Sequence, residues 1–326
     1  MKTAKVSVLM SVYNSENYIK QSVESILNQT FTDFEFIIID DCSTDGTHKY
    51  LQSVSDQRIK LFKNPQNKGI TDCLVQGLAL AQGEYLARMD SDDISLPERF
   101  PKQVAFLDQH PDCICCGCNY IEIPSGKKSE LPVSDEEIKV GLFSNSQFAH
   151  PTVMLRRAAL EENNLLYRST WEHAEDYKLW TEMAPFGKFA NLPEYLLNYR
   201  VHESQLSSAN KQKQRDNALL IAREYAKTMS DDNRFSELFS AGVIKDPSTL
   251  KKYEEVERIV QKKLADYGTK NTGKIFAARK KQALKRGILD SSRSILTSLQ
   301  LLISSGVFLG LKFYISIMMK RNVSKV

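Results

Sequence analysis

The sequence contains no G-x-G-x-x-G and no G-x-x-x-x-G-K-[ST]. Any phosphate this chain binds is therefore not cradled by a glycine-rich loop, and carboxylates holding a metal are the alternative means of neutralising such a group. A cysteine-based metal site is also missing. Four of the six cysteines stand in "CICCGCN" (113–119), where Cys115 and Cys118 have C-x-x-C spacing. No second cysteine pair or histidine pair stands at metal-site distance, so these read as small apolar residues of a buried strand. A secretion signal is lacking too. Lys2 and Lys5 precede "VSVLMSVY", but that stretch is short, broken by serines and followed by Asn14 and Glu16 without a cleavage site. The expected location of the body is the cytoplasm, which suits unpaired thiols.

What is present is a chain of 326 residues, 42% hydrophobic, enough for one large domain or two medium ones. Its net charge of +4 conceals a split. Residues 1–210 carry 20 Lys+Arg and 29 Asp+Glu, a net of −9, whereas residues 211–326 carry 24 and 11, a net of +13. A basic segment calls for an anionic partner. Nucleic acid is the weaker candidate, because the basic residues are not interleaved with aromatics or set in a binding motif. A membrane surface is the stronger one. Ile295 to Leu311 holds no formal charge, and after Lys312 a second apolar run, Phe313 to Met319, ends at Lys320 and Arg321. Gln300, Ser304 and Ser305 weaken a full span, so an in-plane or re-entrant helix is expected. Residues 216–326 thus read as a helical, basic C-terminal region with a membrane-associating segment at about 295–319, in peripheral contact with the cytoplasmic face.

The first half alternates strand and helix signals. "KVSVLMSVY" is almost continuously apolar, as a strand covered on both faces must be. Asn14 or Ser15 can cap a following helix whose apolar face is Ile19, Val23, Ile26 and Leu27. "FEFIIID" and "RIKLF" are further strands, Ile70 to Ala81 a helix closed by Gly83, and "EYLARM" a fourth strand. Such alternation implies an α/β fold with an open, mostly parallel sheet flanked by helices. Ligands then bind outside the carboxyl ends of the strands. Beyond it come a helix from near Pro97 to about Gln109, a strand from Cys113 to Ile123, a helix near Glu136 to Phe143, an acidic helix start in "WEHAEDYKLW" and a strand in "YLLNYRVH".

The first-half carboxylates fall at those strand ends. Asp40 and Asp41 close one strand; Asp90, Asp92 and Asp93 follow another, in "RMDSDDISLPERF". Three carboxylates within four positions repel one another, and burial makes this worse. Either the cluster is a solvated turn or it holds a cation.

Residues 1–215 resemble the family 2 glycosyltransferases of the GT-A fold, which are inverting enzymes using nucleotide-sugar donors. The resemblance is carried by "VSVLMSVYN", "FIIIDDCSTDGT", "NKG", "GEYLARMDSDD", "LPERF", "HPTVMLRR", "AEDYKLW" and "YRVHESQLS", in that order. It implies a GT-A catalytic domain over 1–215 that transfers sugar from a donor, a UDP-sugar by expectation, to a saccharide or lipid-linked acceptor in cell-surface polysaccharide synthesis.

The resemblance also implies roles. Asp90 and Asp92 form the D-x-D motif for a divalent cation, Mn²⁺ or Mg²⁺; Asp92 is the expected direct ligand, Asp90 reaches the ribose or a water on the metal, and Asp93 braces the loop or adds a ligand through water. By the same resemblance His202 is expected as a third metal ligand and Arg200 as a phosphate contact. Asp40 and Asp41 recognise base and ribose, and Ser11, Tyr13, Asn14, Asn67, Gly69 and Arg88 complete the donor site. Asp176 is the base that inversion requires, with Glu175 tuning it or binding acceptor, and His150 belongs to the acceptor region. One departure from the family pattern is Val75, where an asparagine is usual. Two other readings compete. A sugar-phosphate nucleotidyltransferase would want a glycine-rich Arg/Lys loop after the first strand, which "MSVYNSENY" lacks; a nucleotide-sugar-binding scaffold or sensor without transfer is the alternative.

Overall fold

The computed structural model describes residues 3–202, 205, 210–229, 247–266, 272–278 and 280. Four strands, β1 (Val6–Val12), β2 (Phe34–Asp40), β3 (Ile59–Lys63) and β4 (Tyr85–Met89), alternate with helices α1 (Ile19–Leu27), α2 (Thr47–Ser53) and α3 (Ile70–Leu80). β2 and β4 are buried at every position, as their unbroken apolar runs require. α1 buries Ile19, Val23 and Ile26 against this sheet. Neither Asn14 nor Ser15 caps it. Residues 15–18 form a turn in which the Ser15 carbonyl accepts from Tyr18 and Ile19, leaving the two side chains for other loops.

The second half is built from β5 (Ile94–Ser95), α4 (Arg99–Gln109), β6 (Cys113–Ile123), α5 (Asp135–Gly141), β7 (Met154–Arg156), α6 (Arg157–Glu162), α7 (Glu175–Met183) and β8 (Lys188–Arg200). All eight strands lie in one sheet of order β3-β2-β1-β4-β7-β6-β8-β5. β3, β2, β1 and β4 run parallel, and β4 then pairs antiparallel with β7. The sheet is therefore parallel in its first half and mixed beyond β4: β6 is antiparallel to β7 and parallel to β8, and β8 is antiparallel to β5. Three-residue β7 and two-residue β5 are too short to show a period of two in sequence. Cys113, Cys115, Cys116 and Cys118 are buried free thiols on β6.

Strand order reverses about β1, with β2 on one side and β4 on the other, and the carboxyl ends of these strands open a crevice. At the opposite end, Gly83 lets α3 return to β4 closely. A Cβ there would stand 2.5 Å from the Ser7 backbone nitrogen.

The chain divides into two compact units, Met1–Ile221 and Ala222–Val326. Within the second, helix Pro247–Asp266 presents Glu254 and Glu257 to Lys280, whose Nζ lies 3.2 and 3.8 Å from their oxygens. No helix among the described residues is long and apolar enough to cross a membrane. The 295–319 segment lies outside the described residues.

Candidate active site

The D-x-D cluster sits at the carboxyl end of β4. Asp90, Asp92 and Asp93 each offer an oxygen within 4.8 Å of the others. Crowding leaves its mark: burial first, then Asp90, raises the pKa of Asp92, and burial with both neighbours raises that of fully buried Asp93 well above its usual value. Asp93 Oδ1 accepts the Arg200 backbone N–H at 2.8 Å, so this residue braces the loop, while its buried Oδ2 has no hydrogen-bond partner. Hard oxygens at this spacing, with an orphaned carboxylate oxygen beside them, fit a divalent cation.

Tertiary pairing completes the cluster. β5 pairs with β8 through Ile94–Asn198 and Ser95–Leu197, which lays the end of β8 beside the aspartates. His202 Nε2 thereby comes 2.9 Å from Asp92 Oδ2. Arg200 donates from Nε to the Asp92 carbonyl at 2.7 Å and from Nη2 to Gln21 at 2.7 Å. Tyr18 stands behind both, with its ring centroid 4.7 Å from that of His202 and 4.8 Å from the Arg200 guanidinium. Nothing in the sequence singled out Tyr18 or Gln21. The apolar face of α1 drew attention to its buried side alone.

The loops after β1 and β2 interlock. Asn14, at φ +48°, accepts from Thr44 N–H at 2.8 Å through Oδ1 and donates its own N–H to Ser43. The Ser15 hydroxyl lies 2.7 Å from that of Ser91, the middle residue of the D-x-D. Asp40 is fully buried, with Ser43 N–H on one oxygen at 2.9 Å and His48 Nδ1 against the other at 2.7 Å. Asp41 accepts Asn64 Nδ2, the Lys68 N–H and the Gly69 N–H at 2.8 to 3.0 Å, the Lys68 donor being shared between both oxygens. Both carboxylates hold loops, and Asp41 fixes Gly69 at φ +89° ahead of α3. His48 was not foreseen, since a histidine eight residues after Asp40 carries no local signal. Ser11 is half-buried at the end of β1. Tyr13 and Asn67 are exposed and Val75 half-buried.

α7 begins with Glu175 and Asp176. Burial first and then Asp176 push Glu175 up to about 7, and burial pushes partly exposed Asp176 up to about 6. They titrate as a pair. His150, in a 3-10 turn (His150–Thr152), meets the Tyr167 hydroxyl at 2.9 Å and the Trp180 ring edge-on at 6.0 Å. Burial, reinforced by Arg88, lowers its pKa well below the ordinary value, so His150 is neutral at pH 7. Arg88 on β4 is buried and paired through Nη1 with Asp90. Burial opposes its charge, but Asp90 more than compensates and the pKa is raised.

An acidic cluster at the carboxyl end of β4 and a carboxylate pair of raised pKa at the start of α7 are groups suited to group transfer to a hydroxyl. A family model for Glycosyl transferase family 2 matches residues 7–163. An uncharacterised glycosyltransferase of Haemophilus influenzae is 35% identical over 234 residues, 67% of this chain and 72% of that protein. The chain belongs to glycosyltransferase family 2. This glycosyltransferase is also 35% identical over 225 residues to the putative glycosyltransferase EpsE of Bacillus subtilis, across 67% of this chain and 80% of that one. It is 33% identical over 214 residues, 64% and 82% of the two chains, to the UDP-Glc:alpha-D-GlcNAc-diphosphoundecaprenol beta-1,3-glucosyltransferase WfaP of Escherichia coli. Among solved structures, S. aureus TarS 1-349 in complex with UDP-GlcNAc superimposes with a TM-score of 0.57 at 18% identity, over 87% of this chain and 89% of that chain. The mannosyltransferase PcManGT of Pyrobaculum calidifontis, in complex with GDP-Man and Mn²⁺, gives 0.54 at 17%, over 98% and 84%. At those identities the likeness establishes the fold of the glycosyltransferase, GT-A, and nothing finer.

Proposed function

We propose that this glycosyltransferase is a metal-dependent, inverting enzyme that moves a sugar from a UDP-sugar to a saccharide or lipid-linked acceptor at the cytoplasmic face of a membrane. The observation that carries the reading is the presence of two acidic sites, the cluster at Asp90, Asp92 and Asp93 at the end of β4 and the pair Glu175 and Asp176 of raised pKa at the start of α7. Asp92, Asp90 and His202 would hold the ion. When bound, a divalent cation supplies a Lewis acid for the charge that grows on the departing diphosphate.

The chain's own residues do the rest. Asp176 takes the proton from the acceptor hydroxyl, and its raised pKa suits that work near neutral pH. Glu175, adjacent in a helix and so pointing elsewhere, binds acceptor or tunes its neighbour. Neutral His150 and Tyr167 form the wall of the acceptor side. Tyr13, Asn67 and the loops fixed by Asp40 and Asp41 make the donor side. The TarS and PcManGT complexes with nucleotide sugars, and the lipid-diphosphate acceptor in the name of the E. coli relative, support donor and acceptor classes of this kind. Residues 1–215 would be the catalytic domain, and 216–326 the membrane-facing region.

The test is a panel of UDP-, GDP- and dTDP-sugars with Mn²⁺ or Mg²⁺, read as nucleotide release with and without saccharide acceptors, and the anomeric configuration of the product by NMR. Transfer from a UDP-sugar with inverted configuration is expected. Binding without release from any donor would favour a scaffold or sensor, and retained configuration would overturn the role of Asp176.

A further inference from the structure

α7 begins on a turn that its own residues do not fully hold. Its N-cap position is Ala174, which has no side-chain hydrogen bond to offer the first-turn N–H groups, so Glu175 and Asp176 stand on an uncapped helix end. The turn before it is strained. Trp171 ends a 3-10 turn (Ser169–Trp171), the Ala174 N–H donates back to the Trp171 carbonyl at 2.9 Å, and His173 between them sits at φ +68°. That left-handed conformation is disfavoured by a β-carbon and persists where neighbours fix it from several sides. One side is fixed from α7, where Lys178 Nζ lies 5.4 Å from the centre of the Trp171 ring and 3.3 Å from Glu182. The other is fixed from helix α8 (Lys211–Met229). Asn217 Nδ2 donates to the Glu172 carbonyl at 2.9 Å across 45 positions of sequence, and Lys213, one turn earlier on the same side of α8, pairs with the Glu172 carboxylate. The half-exposed lysine pair contributes little. Asn217 is placed differently: it stands one turn before Ile221, which is fully buried, and so lies on the face by which α8 packs.

We propose that Asn217 is a positioning residue for the acceptor-side base: its amide, on the Glu172 carbonyl, fixes the strained turn from which Glu175 and Asp176 project. The inference rests on the reading of Asp176 as the base. Between the Glu172 carbonyl and that base lie only His173, Ala174 and Glu175, and the Ala174 N–H is already engaged with Trp171. A shift of this carbonyl is therefore carried into the first turn of α7. A reacting group misplaced by about 1 Å costs about 10²-fold in rate. The donor-side loops follow β1, β2 and β4 and are held by contacts of their own, among them Asn14 with Thr44 and Asp41 with Gly69. Loss of the Asn217 contact should thus separate transfer from donor binding. The catalytic unit then extends beyond residue 215 into α8, within the compact unit that ends at Ile221.

The experiment measures kcat, acceptor KM, UDP affinity by calorimetry and melting temperature on the full chain for wild type, Asn217→Asp, Asn217→Ala, Asn217→Gln and Asp176→Asn. Asn217→Asp keeps the shape without the donor, and Asn217→Ala favours the helix. Both should lower kcat about 10-fold or more, with acceptor KM and UDP affinity unchanged. Asn217→Gln keeps an amide donor and should retain most of kcat. A merely structural role would instead lower melting temperature, UDP affinity and kcat together, with Asn217→Gln no better than Asn217→Ala, and would overturn the proposal. Wild-type kcat in Asn217→Asp and Asn217→Ala, beside a dead Asp176→Asn, overturns the role of Asn217 alone. Wild-type transfer by Asp176→Asn overturns the base reading and with it this inference. Should Asn217→Asp and Asn217→Ala both fail to fold, Asn217→Ser, whose hydroxyl is too short to span to the carbonyl, decides by the same split.

Discussion

His202 Nε2 lies 2.9 Å from Asp92 Oδ2, although 110 positions separate the two residues. The contact exists because β5, two residues long, takes its place at the sheet edge beside β8. It gives the aspartate cluster an imidazole partner, and Asp92 a neighbour that works against its raised pKa. Metal binding should therefore be readable without any turnover assay.

Mn²⁺ is expected to raise the melting temperature of the wild-type protein, and Asp92→Asn to abolish that rise while melting no lower than wild type without metal. Losing one charge from a crowded cluster relieves repulsion. His202→Ala should keep a thermal shift but need about 10- to 100-fold more Mn²⁺ to reach it. An undiminished Mn²⁺ response in Asp92→Asn would remove the aspartate from the metal site.

Asp176→Asn keeps the shape of the side chain and removes the proposed base. Transfer should fall about 10²-fold or more, with UDP affinity by calorimetry unchanged. Loss of UDP affinity with normal transfer at saturating donor would mean that Asp176 belongs to the donor site.

The pH dependence has a definite sign. A base must be deprotonated, so activity is present above its folded pKa and is lost as pH falls through it. Burial raises Asp176 to about 6 and Glu175 to about 7, so the acid limb should lie well above the range of an exposed aspartate. Glu175→Gln removes one charge of the pair and should move the limb downward. A limb near pH 4 in the wild type would contradict a base of raised pKa at Asp176.

Gly83→Ala should destabilise the protein by about 2 kcal/mol or more, because backbone atoms of Val6 and Ser7 leave no room for a Cβ. Chemical denaturation measures it. A loss under 0.5 kcal/mol would show that the β1 end of the sheet yields.

Membrane association is tested on the full chain. It should co-sediment with vesicles containing anionic lipid, and each basic residue near the surface adds about 1 kcal/mol. Salt should release it partly if the 295–319 segment is inserted, and wholly if charge alone holds it. Lys280→Gln should matter less than Lys285→Gln, since Lys280 already faces Glu254 and Glu257. Full-length protein that ignores anionic vesicles at low salt would refute the membrane role.

The sequence by itself determined the parallel half of the sheet. The apolar runs of β1, β2 and β4 admit no other placement than burial on both faces, and their alternation with helices forces parallel crossovers. It also determined that Asp40, Asp41 and Asp90 to Asp93 end strands, that Glu175 and Asp176 open a helix, and that the tail is basic. These follow from periodicity and local chemistry, which act over a few residues. Only the tertiary structure decided that β7 reverses direction beside β4, that β5 pairs with β8, and that Arg200 and His202 consequently reach the aspartates. It alone decided that Asp40 faces His48, that Asp41 holds Gly69, and that Arg88 is buried against Asp90. Such meetings depend on which distant strands pair and in what register. A long-range pairing is set by the summed burial of the whole sheet, and no short stretch of sequence carries that sum.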